Sequence, residues 1–215
     1  MRVCLASTSP ARMMLLRQAG IEPVTRAPEV DEEAVVAEVE AAEGRRLPAA
    51  EHVLLLARRK AADVAQRLRA EDPSFDGFVI GGDSMFALGD EILGKPYTAE
   101  AATARWNGMR GRTGVLHSGH SAFRLAPGEE PREAFAVAEA SVTFAADVDD
   151  DEIAAYVATG EPLLVAGAFT VDSLGGAFIE RVEGDPSTVV GMSLSTVRRL
   201  VRELGGSWTS LWNRS

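Results

Sequence analysis

Apolar and polar positions fall in short alternating blocks along this chain. Residues 3–6 form an apolar run closed by Ser7-Thr8-Ser9-Pro10, and a helical pattern then runs to Gly20. The pattern predicts strand, tight turn and helix, with Ser9 as N-cap and Pro10 as the first helical residue. A short strand near Val24 leads to Asp31-Glu32-Glu33, and residues 50–69 carry the longest helical pattern. Phe78-Val79-Ile80 predicts a buried strand that ends at Gly81-Gly82-Asp83, with a carboxylate at its tip. Residues 86–88 and 91–93 flank Gly89-Asp90 as a hairpin, and 99–109 form a further helix. Residues 115–144 alternate like antiparallel strands around an exposed turn at Pro127-Gly128-Glu129-Glu130-Pro131. A helix at 149–158, strands at 169–171 and 178–182 around Gly175-Gly176, and a last helix at 193–204 complete the series.

Strands and helices alternate without an internal repeat or a low-complexity tract, which predicts an α/β domain with a mixed sheet. The 215 residues show no linker and are read as a single domain spanning 1–215. The net charge of −10 opposes broad binding to nucleic acid or anionic membranes, both of which reward clustered cations. It leaves room for a nucleotide, because a few cations in one place can hold a triphosphate. Cys4 is alone, so neither an internal disulfide nor a cysteine-rich zinc site is expected. The opening residues lack the long apolar core of a signal peptide, and no stretch approaches the roughly 20 apolar residues of a membrane span. The expected location is the cytoplasm.

Three separated segments place polar residues at predicted strand or helix ends: 7–12, 81–84 and 94–95. In α/β folds ligands lie beyond such ends. Ser7 and Ser9 offer hydroxyls beside helix N-terminal amides, a setting suited to an anion. Arg12 opposes the helix dipole, so it either reaches an anion such as phosphate or runs out to solvent. Asp83 is either a turn cap or a base or metal ligand for hydrolysis at phosphorus. Lys95 and Lys60 are candidate cations, although Lys60 follows Arg58 and Arg59 and so also reads as part of a solvated helix face. Asp31, Glu32 and Glu33 fit an acidic first helical turn or a magnesium cluster. His52, His117 and His120 show no zinc or triad spacing, and Gly94-Lys95-Pro96 lacks the hydroxyl residue of a P-loop.

Read together, LASTSPARMMLL at 5–16 resembles the opening signature of the Maf family. APEVDE at 27–32, LARRKA at 56–61, GGDSM at 81–85, ILGKP at 92–96 and GRTGVLHSGH at 111–120 agree with family segments in order, as do YVATGEPL, AGAFTVDSLGG and FIERVEGDPSTVVG. The resemblance implies an elongated α/β fold with two lobes around a deep cleft, similar to the inosine triphosphate pyrophosphatases, and a homodimer. It implies hydrolysis of nucleoside triphosphates to monophosphate and pyrophosphate with a divalent cation, magnesium or manganese. Asp83 matches the proton acceptor; Ser7, Arg12, Glu32, Lys60 and Lys95 fall on pattern positions that line the nucleotide and phosphate site, and Arg112 on another family arginine. Ser9 joins the phosphate-binding set from its place in the turn, and Glu32 and Asp83 are expected to share the metal on charge grounds. The family is also linked to septum formation, so a nucleotide-sensing regulator of cell division without turnover is the alternative, and the retained Asp83 and Lys95 favour catalysis.

At the positions that follow base choice in the family, this chain has Ala11, Ser84 and Asp172. Members favouring thymidine and uridine triphosphates carry Arg, Thr and Gln there, and those acting on 7-methylguanosine triphosphate carry an aromatic residue, Gln and Glu. The chain follows neither set. Asp172 accepts hydrogen bonds from bases rich in N–H donors, which leans toward a purine, and Ala11 removes a cation and leaves room for several bases.

Overall fold

The computed structural model describes residues 1–213; residues 214 and 215 of the expected 1–215 domain lie outside the described part. Seven strands form one mixed sheet: β1 (Arg2–Ala6), β2 (Val24–Thr25), β3 (Gly77–Leu88), β4 (Glu91–Leu93), β5 (Thr113–Leu125), β6 (Arg132–Phe144) and β7 (Ile179–Gly184). Their order is β2-β1-β3-β5-β6-β7, with β4 paired to β3. Helices α1 (Pro10–Gln18), α2 (Glu32–Glu43), α3 (Ala49–Glu71), α4 (Ala99–Met109), α5 (Asp150–Ala158), α6 (Pro186–Val190) and α7 (Leu194–Glu203) connect them, as the α/β expectation requires. Among the described residues no helix is long and apolar enough to cross a membrane.

The chain divides into two compact units. The first comprises Met1–Asp83, Ser118–Ala138 and the chain from Gly191. There β1 pairs in parallel with β2 and with β3, in a register that sets Leu5 opposite Ile80. Alternating residues of these strands pack with α3 in a core of Cys4, Ala6, Val64, Ala65, Leu68, Phe75, Val79 and Leu125. Helix α3 lies very close to β3: a Cβ on Gly81 would sit 2.6 Å from the carbonyl oxygen of Ala57, so only glycine fits.

The second unit comprises Ser84–His117 and Glu139–Val190. The β3–β4 hairpin pairs Phe86 with Leu93 and Leu88 with Glu91 around Gly89, which is left-handed at φ 65°. Trp106, Phe144, Phe86 and Phe169 build an edge-to-face aromatic core, and the Trp106 indole donates to the carbonyl of Ala168 at 2.8 Å. The capping box of Asp149 and Glu152 starts α5.

Two strands differ from the sequence pattern. Strand β3 continues past Asp83 to Leu88, so this carboxylate lies within a strand rather than at its tip; buried Phe86 and Leu88, paired to β4, extend the ladder. Residues 169–171 are not a strand. They follow a 3-10 turn at Ala166–Ala168 where Gly167 and Ala168 take φ of 75° and 61°, which ends extended pairing. Helix α2 forms behind the Asp31 N-cap with Glu32 and Glu33 in its first turn, the acidic helical start that these residues fit, and none of its residues is fully buried.

Candidate active site

The turn from β1 into α1 is built around hydroxyls. Ser7 is buried, and its Oγ accepts from the Ser9 N–H at 3.1 Å and from Arg12 Nη1 at 3.3 Å. Ser9 caps α1, accepting from the Arg12 N–H at 3.4 Å. The half-buried Arg12 also donates from Nε to the carbonyl of Gly191 at 2.8 Å. It therefore does not run out to solvent. Burial pushes its pKa down, against the opposing pull of the negative charges of Asp83 and Glu32. A guanidinium starts so high that Arg12 stays a cation at neutral pH.

Lys60 falls on the buried stripe of α3, in phase with Val53, Leu56, Ala57 and Val64. Its ammonium lies 2.8 Å from Asp83 Oδ1 and 2.9 Å from Glu32 Oε1, and its side chain is only 9% exposed. The solvated-face reading of Lys60 is thus overturned: Arg58 turns outward to Glu133 while Lys60 turns in. Asp83 Oδ2 carries no hydrogen bond among the described residues. The first unit thus gathers Ser7, Ser9, Arg12, Glu32, Lys60 and Asp83, two cations interleaved with two carboxylates.

No group of three or more His, Cys, Asp and Glu residues that could hold a metal ion occurs among the described residues. The pair Glu32 and Asp83 still fits a hard cation of the magnesium type, which takes one or two carboxylates and fills its remaining positions with water and substrate phosphate.

The buried His120 accepts the Ser193 N–H at 2.9 Å on Nε2, and His117 Nδ1 lies 3.0 Å from Glu139. Ser118, not singled out in the sequence, hydrogen-bonds the carbonyls of Asp83 and Gly191 at 3.4 Å and so fixes both backbones that flank Arg12.

The remaining candidates, apart from Ala11 on α1, belong to the second unit. Lys95 is exposed in the turn after β4 and makes no hydrogen bond or ion pair among the described residues. The exposed Arg112 donates to the carbonyl of Gly108 at 3.1 Å. Ser84 follows Asp83 on β3, and Asp172 stands exposed in the loop after Phe169. Sequence reasoning missed Glu161. Its carboxylate accepts from Tyr156, Thr170 and Ser173 hydroxyls and from the Leu174 and Gly175 N–H groups. Burial alone would raise its pKa, but hydrogen bonds led by Thr170 and Ser173 outweigh it and hold the group at about 2. The only sequence signal was an acid locked between Gly160 and Pro162 ahead of a run of hydroxyl and glycine residues.

Residues 2–204 match the family model described as Maf-like protein. A protein of Leifsonia xyli subsp. xyli, named nucleoside triphosphate pyrophosphatase, is 58% identical over 100% of this chain and 98% of its own length. Proteins of the same name from Salinispora tropica and Rhodococcus jostii are 52% and 49% identical, over 100% and 98% of this chain and 88% and 96% of theirs. Among solved structures, the Staphylococcus aureus Ham1 protein covers 68% of this chain and 73% of its own at 11% identity and a TM-score of 0.32, a likeness too distant to bear on function.

Proposed function

The chain belongs to the Maf family, and from that premise we propose that it is a nucleoside triphosphate pyrophosphatase, releasing monophosphate and pyrophosphate. The observation that carries this reading is Lys60 set between Asp83 and Glu32, beside Arg12, within one compact unit. A triphosphate brings about four negative charges that Arg12 and Lys60 offset, and charge-assisted hydrogen bonds from such groups are the strong ones. Lys60 occupies Oδ1 of Asp83, which leaves Oδ2 to accept a proton from water. The water oxygen bonds to the α-phosphorus, the bond to the α–β bridging oxygen breaks, and its electron pair leaves with pyrophosphate. Glu32 and Asp83 are the residues that would hold magnesium or manganese, which when bound supplies further positive charge to the phosphate oxygens.

Ser7 and Ser9 contribute the hydroxyls at the α1 N-terminus in this reading, and Lys95 and Arg112 are further phosphate ligands. Ala11, Ser84 and Asp172 set the choice of base, with a lean toward purines through the acceptor oxygens of Asp172. The protein acts as a homodimer in the cytoplasm and engages neither nucleic acid nor membrane, in keeping with its net charge of −10.

The test is pyrophosphate and monophosphate release from a panel of triphosphates with magnesium, for the wild-type chain and Asp83→Asn. The variant should fold and lose turnover by about 100-fold or more, the range expected for a general base. Full turnover by Asp83→Asn removes its role. Nucleotide binding without any turnover by the wild type would replace catalysis by sensing.

A further inference from the structure

Gly160, left-handed at φ 78°, turns the chain out of α5 and presents Glu161 to the loop that follows Phe169. Oε1 accepts from the Tyr156 hydroxyl at 3.0 Å, the Thr170 hydroxyl at 2.5 Å and the Gly175 N–H at 3.1 Å. Oε2 accepts from the Ser173 hydroxyl at 2.7 Å and the Leu174 N–H at 3.3 Å. Four of these five donors come from residues 170–175, so a single carboxylate organises the whole loop. The seat beneath is rigid: the Tyr156 ring packs against Trp106 and Phe178, with centroids 5.5 and 5.6 Å away. The loop closes at contact distance, since a Cβ on Gly175 would meet the Tyr156 hydroxyl oxygen at 2.5 Å and the Thr170 carbonyl oxygen at 2.7 Å.

Asp172 stands in the middle of this loop, between two residues whose hydroxyls are tied down. It is exposed and has no hydrogen bond or ion pair among the described residues. An unpartnered acceptor on a backbone that is already fixed loses little entropy when a ligand engages it, and specificity then follows geometry. We propose that Glu161 is a positioning residue for base selection: it fixes the 170–175 loop so that Asp172 presents its oxygens to the N–H donors of a nucleobase edge. Both oxygens of Glu161 are engaged by the five protein donors, so it acts through the loop rather than on the nucleotide. The proposal rests on the triphosphate reading and on the base-selecting role of Asp172 within it.

The experiment compares wild type, Glu161→Gln, Asp172→Asn and the double variant, each checked for folding by circular dichroism. Its readout is the ratio of kcat/KM for GTP to kcat/KM for UTP, in which a general loss of active protein cancels. Glu161→Gln should shift this ratio by about 10-fold, the scale of one misplaced polar contact. On the Asp172→Asn background the same substitution should shift it by less than about 2-fold, because the two residues act as one unit. A folded Glu161→Gln with an unchanged ratio overturns the proposal, as does an equal shift on both backgrounds. Should Glu161→Gln not fold, Thr170→Val and Ser173→Ala each remove one donor and face the same two criteria. A wild type that releases pyrophosphate from no nucleotide overturns the catalytic reading instead. The ratio of GTP to UTP dissociation constants, by titration calorimetry, then decides this proposal, and absence of binding to both ends it as well.

Discussion

A carboxylate that accepts five hydrogen bonds is a titratable clamp, and Glu161 gives its sign. The folded value of about 2 lies below the ordinary glutamate value of 4.5, so the unfolded chain binds the proton more readily. The contribution to stability is complete above the unfolded value and is lost as pH falls from about 4.5 to about 2. Its size is on the order of 2 kcal/mol after allowing for solvent screening. Urea unfolding of wild type and Glu161→Gln should therefore show a gap at pH 6 that shrinks by pH 3; a gap that widens in acid contradicts the clamp. Lys60 shows why the site was only partly legible. The charge run Arg58-Arg59-Lys60 suggests a wet face, yet the helical phase through Leu56 and Val64 puts Lys60 on the buried stripe. Phase outweighed local composition, and the sequence contained both. The clamp on Glu161 was not legible, because its donors are brought to it by a loop with no periodic signal.

Elements with a buried face could be read from spacing, and those without one could not. Helix α3, α4 and the β3–β4 hairpin follow their apolar periods, whereas α2 buries no residue fully and its half-buried stripe at Val35, Val36 and Val39 is short. Polar contacts fix both of its ends. Asp31 caps it by accepting the Ala34 N–H at 3.0 Å, Glu32 pairs with Lys60, and Gly44 stops it in the left-handed conformation at φ 67°. A helix with no fully buried residue depends on its cap more than most, and here the cap adjoins Glu32, one of the two carboxylates that pair with Lys60. Asp31→Ala should cost about 1 kcal/mol locally. Hydrogen exchange should report it as faster exchange of the amides at 33–35, with α3 unchanged; protection equal to wild type would mean that Lys60 alone holds the helix start.

For the whole molecule, the alternation of strands and helices was enough to give the α/β class, but not the division into two compact units. The reason lies in strand length. Each of β3, β5 and β6 begins in one unit and ends in the other, with 12, 13 and 13 residues, so no linker of altered composition marks a boundary. Strands shared in this way lead us to propose that the chain unfolds as a single domain. Calorimetry should then give one transition with equal calorimetric and van't Hoff enthalpies. Two resolved transitions would separate the units. The same scans at rising protein concentration test the homodimer, because association confined to the folded state raises Tm with concentration, whereas a monomer's Tm stays fixed. One transition with a concentration-independent Tm would keep the single domain and discard the dimer.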